Sequence, residues 1–361
     1  KYSPEAQYQD IELVNHEGQE CDIVIKGRMK IQIGSRTEIL HPGDTIYYDS
    51  SIPHGMIAVE GEDCTFYSFV LSNSAAREGE QPAVAAKPAK GIVSDKQERI
   101  YKKFIDRTVE NGQLTKISFK GEDKFNFAFD IVDELGKTKP EKLCMLHLSE
   151  DGTERRFTFQ DMKKESARAA NYFKALGIKK GDRVMLVLKR HYQFWFAMLG
   201  LHKLGAIAIP ATNQLVKHDL EYRFNAAEVS AIVCTADGSV ADQVDLAAAE
   251  APCLKTKILV GGDREGWRNF DEEFPLYSAH FYRTEDTPCG DDPMIMFFTS
   301  GTTGYPKIAC HSYKYALGHY ITAKYWHGVS EDGLHFTISD TGWGKALWGK
   351  LYGQWLAEGA A

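Results

Sequence analysis

Residues 294–307 read MIMFFTSGTTGYPK, an apolar run followed at once by a loop of glycines, hydroxyl residues and one lysine. The apolar run predicts a buried strand, and open α/β sheets bind ligands where their strands end. Glycine lets the backbone turn so that N–H groups converge on an anion, and hydroxyls and an ammonium group add donors and charge. The loop residues that we predict to bind phosphate are Thr299, Ser300, Gly301, Thr302, Thr303, Gly304 and Lys307.

The loop differs from a Walker loop, in which GxxxxGK is followed by Ser or Thr. Here the lysine follows Pro306 and precedes Ile308. A surface turn rich in Ser, Thr and Gly is the alternative explanation, but such a turn requires no lysine at this spacing. We therefore interpret the loop as a site for a polyphosphate.

The sequence TSGTTGYPK matches without a gap the phosphate loop TSGTTGxPK of adenylate-forming acyl-CoA synthetases, and the chain resembles this family over nearly all of residues 95–361. The resemblance implies that the loop holds the β- and γ-phosphates of ATP while a carboxylate attacks the α-phosphate. The products would be an acyl-adenylate and pyrophosphate, and coenzyme A would then displace AMP. Mg²⁺ would accompany the ATP, with Thr299 as one oxygen ligand.

Residues 339–343, SDTGW, resemble the medium-chain group of these synthetases. The resemblance implies that a strand and turn at this segment, with a helix over residues 345–356, wall an acyl pocket that contains Trp343. We interpret Trp348 as a core residue and His311 as structural. Residues 211–214 resemble the family loop near the coenzyme A entrance, which makes Gln214 a candidate contact; a plain capping turn is the alternative.

Composition limits the other functions. The chain has 361 residues, of which 43% are hydrophobic and 26% charged, which is enough for two or three globular domains. A net charge of −7 gives no basic field for nucleic acid. The seven cysteines show no paired CxxC spacing, so we predict reduced thiols without disulfides or zinc. No apolar run has the length of a membrane span, and we predict a cytoplasmic protein.

Residues 1–71 alternate apolar and polar residues between turn signals, as in Met29-Lys30-Ile31-Gln32-Ile33. This pattern predicts a small β-sandwich or barrel. Residues 72–93 contain almost no large apolar side chains and predict a flexible linker. From residue 94 onwards helices alternate with short apolar strands, which predicts a doubly wound α/β domain.

Within the first domain, HEGQE at residues 16–20, PGD at 42–44 and PH at 53–54 resemble the two conserved motifs of cupins. The resemblance implies a barrel with a central pocket in which His16, Glu20 and His54 hold a divalent metal such as Fe, Mn, Ni or Zn. Val14 stands where the family has another histidine. The alternative is a barrel that binds a ligand or forms a homodimer without metal. The closest similarity is to cupins that follow a helix-turn-helix in bacterial regulators.

We therefore expect two domains, an all-β cupin barrel over residues 1–71, incomplete at its N-terminus, and a partial N-terminal α/β domain of the adenylate-forming fold over residues 94–361. The family's adenine pocket and catalytic lysine would follow residue 361, so we expect no catalytic residue in this chain and no activity from it alone. The first hypothesis is a ligase that activates a medium-chain fatty acid with ATP and CoA. The alternatives are a cupin-containing transcriptional or metabolic regulator that binds ligand without turnover, and an amino-acid or aryl-acid adenylation domain.

Overall fold

The computed structural model describes residues 11–59, 61, 63–71, 99–111, 113–149, 151–300 and 304–361. The predicted linker at 72–93 and the loop residues Gly301, Thr302 and Thr303 lie outside the described residues. The chain divides into two compact units, one of Lys1–Ser94 with Leu148–Thr153 and one of Asp95–His147 with Glu154–Ala361. Among the described helices, none combines the length and apolar character that crossing a bilayer requires.

The first unit consists of two three-stranded antiparallel sheets, with strand orders β4-β1-β6 and β3-β2-β5. The alternating segment at residues 29–33 forms β2, as the pattern predicts. The strands are β1 (Gln19–Lys26), β2 (Arg28–Ile33), β3 (Arg36–Leu40), β4 (Thr45–Asp49), β5 (His54–Val59) and β6 (Thr65–Leu71).

Two glycines of the first unit lie where no side chain fits. Gly27 has φ +74°, and a Cβ there would lie 2.3 Å from the Asp63 carbonyl oxygen. A Cβ on Gly55 would lie 2.2 Å from the Glu12 carbonyl oxygen. Both positions therefore require glycine, because a Cβ would overlap backbone atoms of a neighbouring segment. A small apolar cluster that includes Val24 and Met29 fills the space between the strands.

The second unit contains the antiparallel hairpin β7–β8, most of the two-stranded sheet of β9 and β10, and a seven-stranded sheet flanked by helices. Its strands are β7 (Ile105–Glu110), β8 (Gln113–Phe119), β9 (Leu143–Leu148), β10 (Glu154–Thr158), β11 (Arg183–Val187), β12 (Ile207–Pro210), β13 (Val229–Thr235), β14 (Thr256–Val260), β15 (Arg268–Asn269), β16 (Pro293–Thr299) and β17 (Lys307–Ser312). Its helices are α1 (Glu134–Thr138), α2 (Phe159–Ala175), α3 (Gln193–Leu204), α4 (Lys217–Ala226), α5 (Val240–Ala248), α6 (Phe270–Glu273), α7 (Tyr315–Ile321), α8 (Gly344–Lys350) and α9 (Tyr352–Leu356). Short helical turns span Ile100–Lys103, Glu122–Lys124, Ala128–Asp133, Phe274–Leu276 and Thr322–Trp326.

The large sheet has the strand order β15-β14-β13-β11-β12-β16-β17 and is parallel from β15 to β16. The last strand, β17, is antiparallel to β16. Strand β12, which follows β11 in the chain, lies on one side of β11 in the sheet, and the next strand, β13, lies on its other side. The strand order therefore reverses around β11. In open α/β sheets ligands bind at the carboxyl ends of the strands near such a reversal.

Local signals explain most of these elements. Helix α2 starts at Thr158, whose hydroxyl accepts a hydrogen bond from the Asp161 N–H while the Asp161 carboxylate accepts one from the Thr158 N–H. Helix α3 ends at Gly205, which has φ +87°. The expected alternation of helices with short apolar strands is present, because the apolar runs at residues 184–188, 206–209, 231–234, 257–260 and 294–298 each form a strand of the large sheet.

Two predictions near the chain's end are wrong. Residues 339–343 form an irregular turn without a strand, and the helix predicted at 345–356 is broken at Leu351 into α8 and α9. The Thr337 hydroxyl donates a hydrogen bond of 2.7 Å to the Gly349 carbonyl, the acceptor that a continuous helix would pair with residue 353. Trp348 is only half-buried and stacks on His327, with ring centroids 5.6 Å apart.

Candidate functional site

The predicted phosphate loop joins two antiparallel strands in the loop hairpin, residues 293–312. Thr299 and Lys307 face each other where the strands open, and the Thr299 hydroxyl donates a hydrogen bond of 3.3 Å to the Lys307 carbonyl. The Lys307 side chain is exposed and forms no ion pair within the described part of the chain. Ser300 is also exposed, and Gly304 has φ +93°, a conformation that favours glycine. The hairpin therefore presents a cation and hydroxyls to solvent.

Helix α4 supports the base of the loop hairpin. The Tyr222 hydroxyl donates a hydrogen bond of 2.9 Å to the Pro306 carbonyl, and its ring stacks on Tyr305 with centroids 4.8 Å apart. The next residue, Arg223, lies over the ring of Phe298, 5.3 Å from its centroid. These contacts attach both arms of the hairpin to one helix.

The turn at residues 339–343 lies across the carboxyl ends of β11 and β12. Thr341 donates hydrogen bonds from its N–H, at 3.3 Å, and from its hydroxyl to the Lys189 carbonyl, just after β11. A Cβ on Gly342 would lie 2.5 Å from the backbone of Ala211 and Thr212, just after β12. Since β16 is the next strand of the sheet, the turn and the loop hairpin share one edge of it.

Lys350 fixes the start of this turn. Its ammonium group donates a hydrogen bond of 2.7 Å to the Ser339 carbonyl. Burial, together with the positive charge of Arg190, lowers the pKa of Lys350 to about 8. The Asp340 carboxylate accepts a hydrogen bond of 2.8 Å from the Gly342 N–H, which tightens the turn.

The structure separates the other predicted site residues. Trp343 precedes helix α8 and is 62% exposed, so the described residues do not enclose it in a pocket. Gln214 is exposed in the turn before α4, where its N–H bonds the Thr212 hydroxyl at 3.3 Å. His311 lies on β17 with its ring 4.3 Å from Tyr315, and burial lowers its pKa.

The first unit brings His16, Glu20 and His54 together, with potential ligand atoms all within 4.8 Å of one another. One carboxylate oxygen of Glu20 lies 3.2 Å from His16 Nε2 and 3.3 Å from His54 Nε2. The other oxygen of Glu20 accepts a 2.6 Å hydrogen bond from Ser68. Glu20 and His54 are buried, and the His16 side chain is 39% exposed.

The protonation of His54 follows from its neighbours. Its Nδ1 lies 2.9 Å from the Ile52 carbonyl, which can only accept a hydrogen bond, so Nδ1 carries a proton. The His54 Nε2 atom then faces a carboxylate oxygen of Glu20, an arrangement that suits either an imidazolium that donates to the carboxylate or a neutral imidazole that shares a cation with it. Neighbouring ligand atoms in a metal centre with bonds of about 2.0–2.2 Å lie roughly 3.0–3.5 Å apart, so the three residues fit a metal ion.

The interior around this group is polar. Tyr48 donates a hydrogen bond of 2.9 Å to Asp22 and packs against the His54 ring, with centroids 4.9 Å apart. One oxygen of Asp22 and the hydroxyl of Ser50 are buried without a hydrogen-bond partner in the described residues. Burial raises the pKa of Asp22 to about 6. Unpartnered polar atoms at this depth are costly, which favours a pocket that holds a polar ligand, water or an ion.

Sequence reasoning missed Tyr222, Arg223 and Lys350. Tyr222 and Pro306 are 84 residues apart, and no local pattern connects a helix to a loop at that distance. Lys350 lies in a strongly apolar stretch, where a single lysine is the signal that could have identified it.

The second unit is an α/β domain whose loop hairpin presents an exposed lysine and hydroxyls at the carboxyl edge of its sheet. The chain belongs to the AMP-binding enzyme family, which it matches over residues 132–349. Residues 6–70 match the cupin domain family. The resemblances to the adenylate-forming synthetases and to cupins are thereby confirmed.

Curated relatives are similar to the second unit. Mouse acyl-coenzyme A synthetase ACSM5, mitochondrial, is 38% identical over 239 residues, which cover 64% of this chain and 40% of the relative. Rat acyl-coenzyme A synthetase ACSM4, mitochondrial, is 35% identical over 244 residues, which cover 64% of this chain and 41% of the relative. The chain thus spans about 40% of the length of the curated relatives it matches.

Solved structures show the same fold. The anthranilate CoA ligase AuaEII in complex with anthranoyl-AMP matches with a TM-score of 0.59 and 21% identity, over 66% of this chain and 45% of the ligase. A Brucella canis acyl-CoA synthetase matches with a TM-score of 0.58 and 24% identity, over 66% of this chain and 43% of the synthetase.

Proposed function

We propose that this chain supplies the ATP-phosphate site of an acid–thiol ligase that converts a carboxylic acid to its acyl-adenylate and then to its acyl-CoA. A medium-chain fatty acid is the substrate class we favour. The observation that carries the proposal is the loop hairpin, whose exposed Lys307 stands at the same sheet edge as the turn at residues 339–343.

The chemistry divides between substrate and protein. A carboxylate oxygen of the acid attacks the α-phosphorus of ATP, the bond to the β-phosphate breaks, and pyrophosphate leaves. Lys307 neutralises the charge of the phosphates that leave, and the Ser300 hydroxyl donates a hydrogen bond to them. Thr299 donates its proton to the Lys307 carbonyl, so its lone pairs remain for Mg²⁺, which when bound neutralises phosphate charge. The thiol of CoA then attacks the acyl carbonyl and AMP departs.

The test of the phosphate site is Lys307→Ala, compared with Lys255→Ala. Lys255 is also an exposed lysine, but it lies just before β14, at the amino end of the same sheet. A charge-assisted contact contributes about 1.5–3 kcal/mol, so the loss of Lys307 should weaken Mg·ATP binding roughly 10- to 100-fold in calorimetry. Lys255→Ala should bind like the wild type. Equal affinity of the Lys307 variant and the wild type would refute the phosphate site.

The substrate class requires turnover by the protein expressed from its complete gene. Pyrophosphate release is measured with acetate, octanoate, palmitate, benzoate and phenylalanine. We expect octanoate to give the highest kcat/KM. Strong turnover of phenylalanine with none of the fatty acids would overturn the substrate class and leave the phosphate site intact.

A second function is favoured by the geometry of His16, Glu20 and His54. We infer that the first unit binds a divalent metal through these residues, and that the barrel acts as a sensor or assembly domain. Two imidazole nitrogens directed at one carboxylate oxygen are explained by a shared cation.

Elemental analysis and titration with Mn²⁺, Ni²⁺ and Zn²⁺ test this inference. Glu20→Gln should abolish stoichiometric binding because it removes the only carboxylate of the three. Glu17→Gln alters an exposed carboxylate of the same segment and should bind metal like the wild type. Metal-free wild-type protein that takes up none of the three ions would refute the inference.

A further inference from the structure

A cavity of about 480 Å³ lies in the second unit, between the helical turn Ala128–Asp133 with α1, helix α2 and the segment 279–283. This volume falls within the range of small-molecule sites. None of its lining residues belongs to the loop hairpin or to the turn at residues 339–343. The proposed ligase chemistry does not use the cavity.

A buried ion pair forms one wall of this cavity. Asp133 is 6% exposed, and one of its carboxylate oxygens accepts a 2.7 Å hydrogen bond from Lys203, whose side chain is fully buried. Lys203 also donates to the Lys163 carbonyl at 3.2 Å. Burial raises the pKa of Asp133. Its second carboxylate oxygen has no hydrogen-bond partner among the described residues, and it can accept a hydrogen bond from a ligand.

The charges that line the cavity leave an excess of cations, four against three carboxylates. Each carboxylate already has a partner: Asp130 pairs with Arg283 at 2.6 Å, Glu134 with Lys103 at 2.8 Å, and Asp133 with Lys203. Lys163 has no ion pair in the described part of the chain, although its charge lowers the pKa of Asp133. An uncompensated ammonium group beside a cavity favours an anion.

Packing holds the stem of Lys163 in place. A Cβ on Gly136 would lie 3.0 Å from Lys163 Cβ and 3.2 Å from its Cδ, so the aliphatic stem lies directly against helix α1. Helix α2 therefore presents the ammonium group from a supported position.

Aromatic rings form the apolar part of the wall. Phe104, Phe129 and Phe281 line the cavity. Lys203 Nζ and the Arg283 guanidinium lie 5.6 and 5.9 Å from the Phe129 ring centroid, so both cations stabilise the position of this ring in the wall.

We propose that this cavity binds a small aromatic hydroxy acid. Its anionic group pairs with Lys163, its ring packs between the phenylalanines, and its hydroxyl donates to the free oxygen of Asp133. A neutral or cationic aromatic compound of equal size should bind more weakly, because neither compensates the charge of Lys163.

The experiment is a fluorescence and calorimetric titration of the chain with 6-hydroxy-2-naphthoate, 2-naphthoate and 2-naphthamide. We expect one molecule of the hydroxy acid per chain, at least fivefold weaker binding of 2-naphthoate and at least tenfold weaker binding of the amide. Equal affinity of the amide and the acids would overturn the proposal. Equal affinity of the two acids would overturn the role of Asp133.

Variants assign the binding to the cavity. Lys163→Gln should weaken binding of the hydroxy acid about tenfold, which corresponds to one lost charge-assisted contact. Lys164→Gln is the matched control, since Lys164 is the next residue of α2, is exposed and bonds only Gln160 among the described residues. Ala167 lines the cavity, so the larger side chain of Ala167→Leu should block binding of the hydroxy acid. A urea midpoint like that of the wild type shows that this variant folds. If Lys163→Gln binds the hydroxy acid as tightly as the wild type, the proposed binding site is refuted, even if the probe binds elsewhere on the chain.

Discussion

Tyr222→Phe tests whether helix α4 positions the phosphate loop. The change removes one hydroxyl, which donates to the Pro306 carbonyl at 2.9 Å, immediately before Lys307. The ring and its stacking on Tyr305 remain. The wild-type contact restrains one arm of the loop hairpin, so its loss should allow Lys307 to sample positions away from the phosphates.

The magnitude follows from the contacts. A hydrogen bond of this kind contributes about 0.5–1.5 kcal/mol net, so Tyr222→Phe should weaken Mg·ATP binding about fivefold. Tyr222→Ala also removes the stacking at 4.8 Å, which contributes about 0.5–1.5 kcal/mol more. A combined loss of about 2 kcal/mol corresponds to roughly 30-fold weaker binding.

Two assays measure this effect. Calorimetry gives the Kd of Mg·ATP for each variant, and pyrophosphate release by the complete protein gives KM for ATP and kcat. His218→Ala is the control for helix α4, because His218 is exposed and has no contact with the hairpin in the described residues. A double-mutant cycle with Tyr305→Ala should show a coupling of about 0.5–1.5 kcal/mol between the two rings.

The positioning role predicts a higher KM for ATP with little change in kcat and an unchanged urea midpoint for Tyr222→Phe. An affinity within twofold of the wild type would refute the positioning role. A parallel fall in stability and binding would assign Tyr222 to the fold alone. If Lys307→Ala binds ATP normally, the phosphate site itself fails, whatever Tyr222 does.

Three further predictions concern stability. Burial lowers the pKa of His202 to about 3, so only the unfolded chain protonates this imidazole as the pH falls below about 6.5. By about pH 4.5 the free energy of unfolding, measured with urea, should therefore fall by roughly 2.7 kcal/mol more for the wild type than for His202→Gln. Glu358 is fully buried against Arg99 and Lys139 and accepts a hydrogen bond from a backbone N–H, so Glu358→Gln should lower the free energy of unfolding by about 3 kcal/mol. Glu331 is part-exposed beside the same Arg99, so the control Glu331→Gln should lower it by less than about 1 kcal/mol. In Gly342→Ala the new Cβ would overlap the backbone that follows β12, so the free energy of unfolding should fall by about 1–3 kcal/mol. In Gly318→Ala, within α7, the new Cβ meets open space, so the free energy of unfolding should rise by up to about 1 kcal/mol. Equal urea midpoints for the two glutamate variants, or for the two glycine variants, would contradict the corresponding prediction. For His202, a stability that falls with pH equally in the wild type and in His202→Gln would do so.

The strands and helices of the large sheet were predictable because their signals are local. The run at residues 184–188 is apolar throughout and buried, as expected for a central parallel strand. Gly205 ended helix α3 as its position after an apolar stretch predicts. Likewise, the spacing of His16, Glu20 and the later His54 matched a known motif, and the structure brings their side chains together.

The parts that could not be predicted depend on contacts distant in sequence. Residues 345–356 are strongly helical by composition, but the Thr337 hydroxyl occupies a carbonyl that the helix needs. In the same way, Trp343 was expected in a pocket, yet it is 62% exposed because its neighbours Thr341 and Gly342 are the residues that pack on the strand ends. A single sequence gives no signal for such pairings.

The antiparallel strand β17 gives a reason to expect that the proposed phosphate loop depends on its side chains and on α4. In a Walker loop a helix follows the glycines, and its N-terminus supplies N–H groups and a favourable dipole. Here the described chain continues directly into β17, at the end of the sheet, so the element that follows the loop is a strand and not a helix. Phosphate charge must then be compensated by Lys307, and the loop must be restrained from outside, by Tyr222 and Arg223. The charge comes from Lys307 in the hairpin and the restraint from helix α4. Lys307→Ala should therefore weaken Mg·ATP binding more than Tyr222→Phe does.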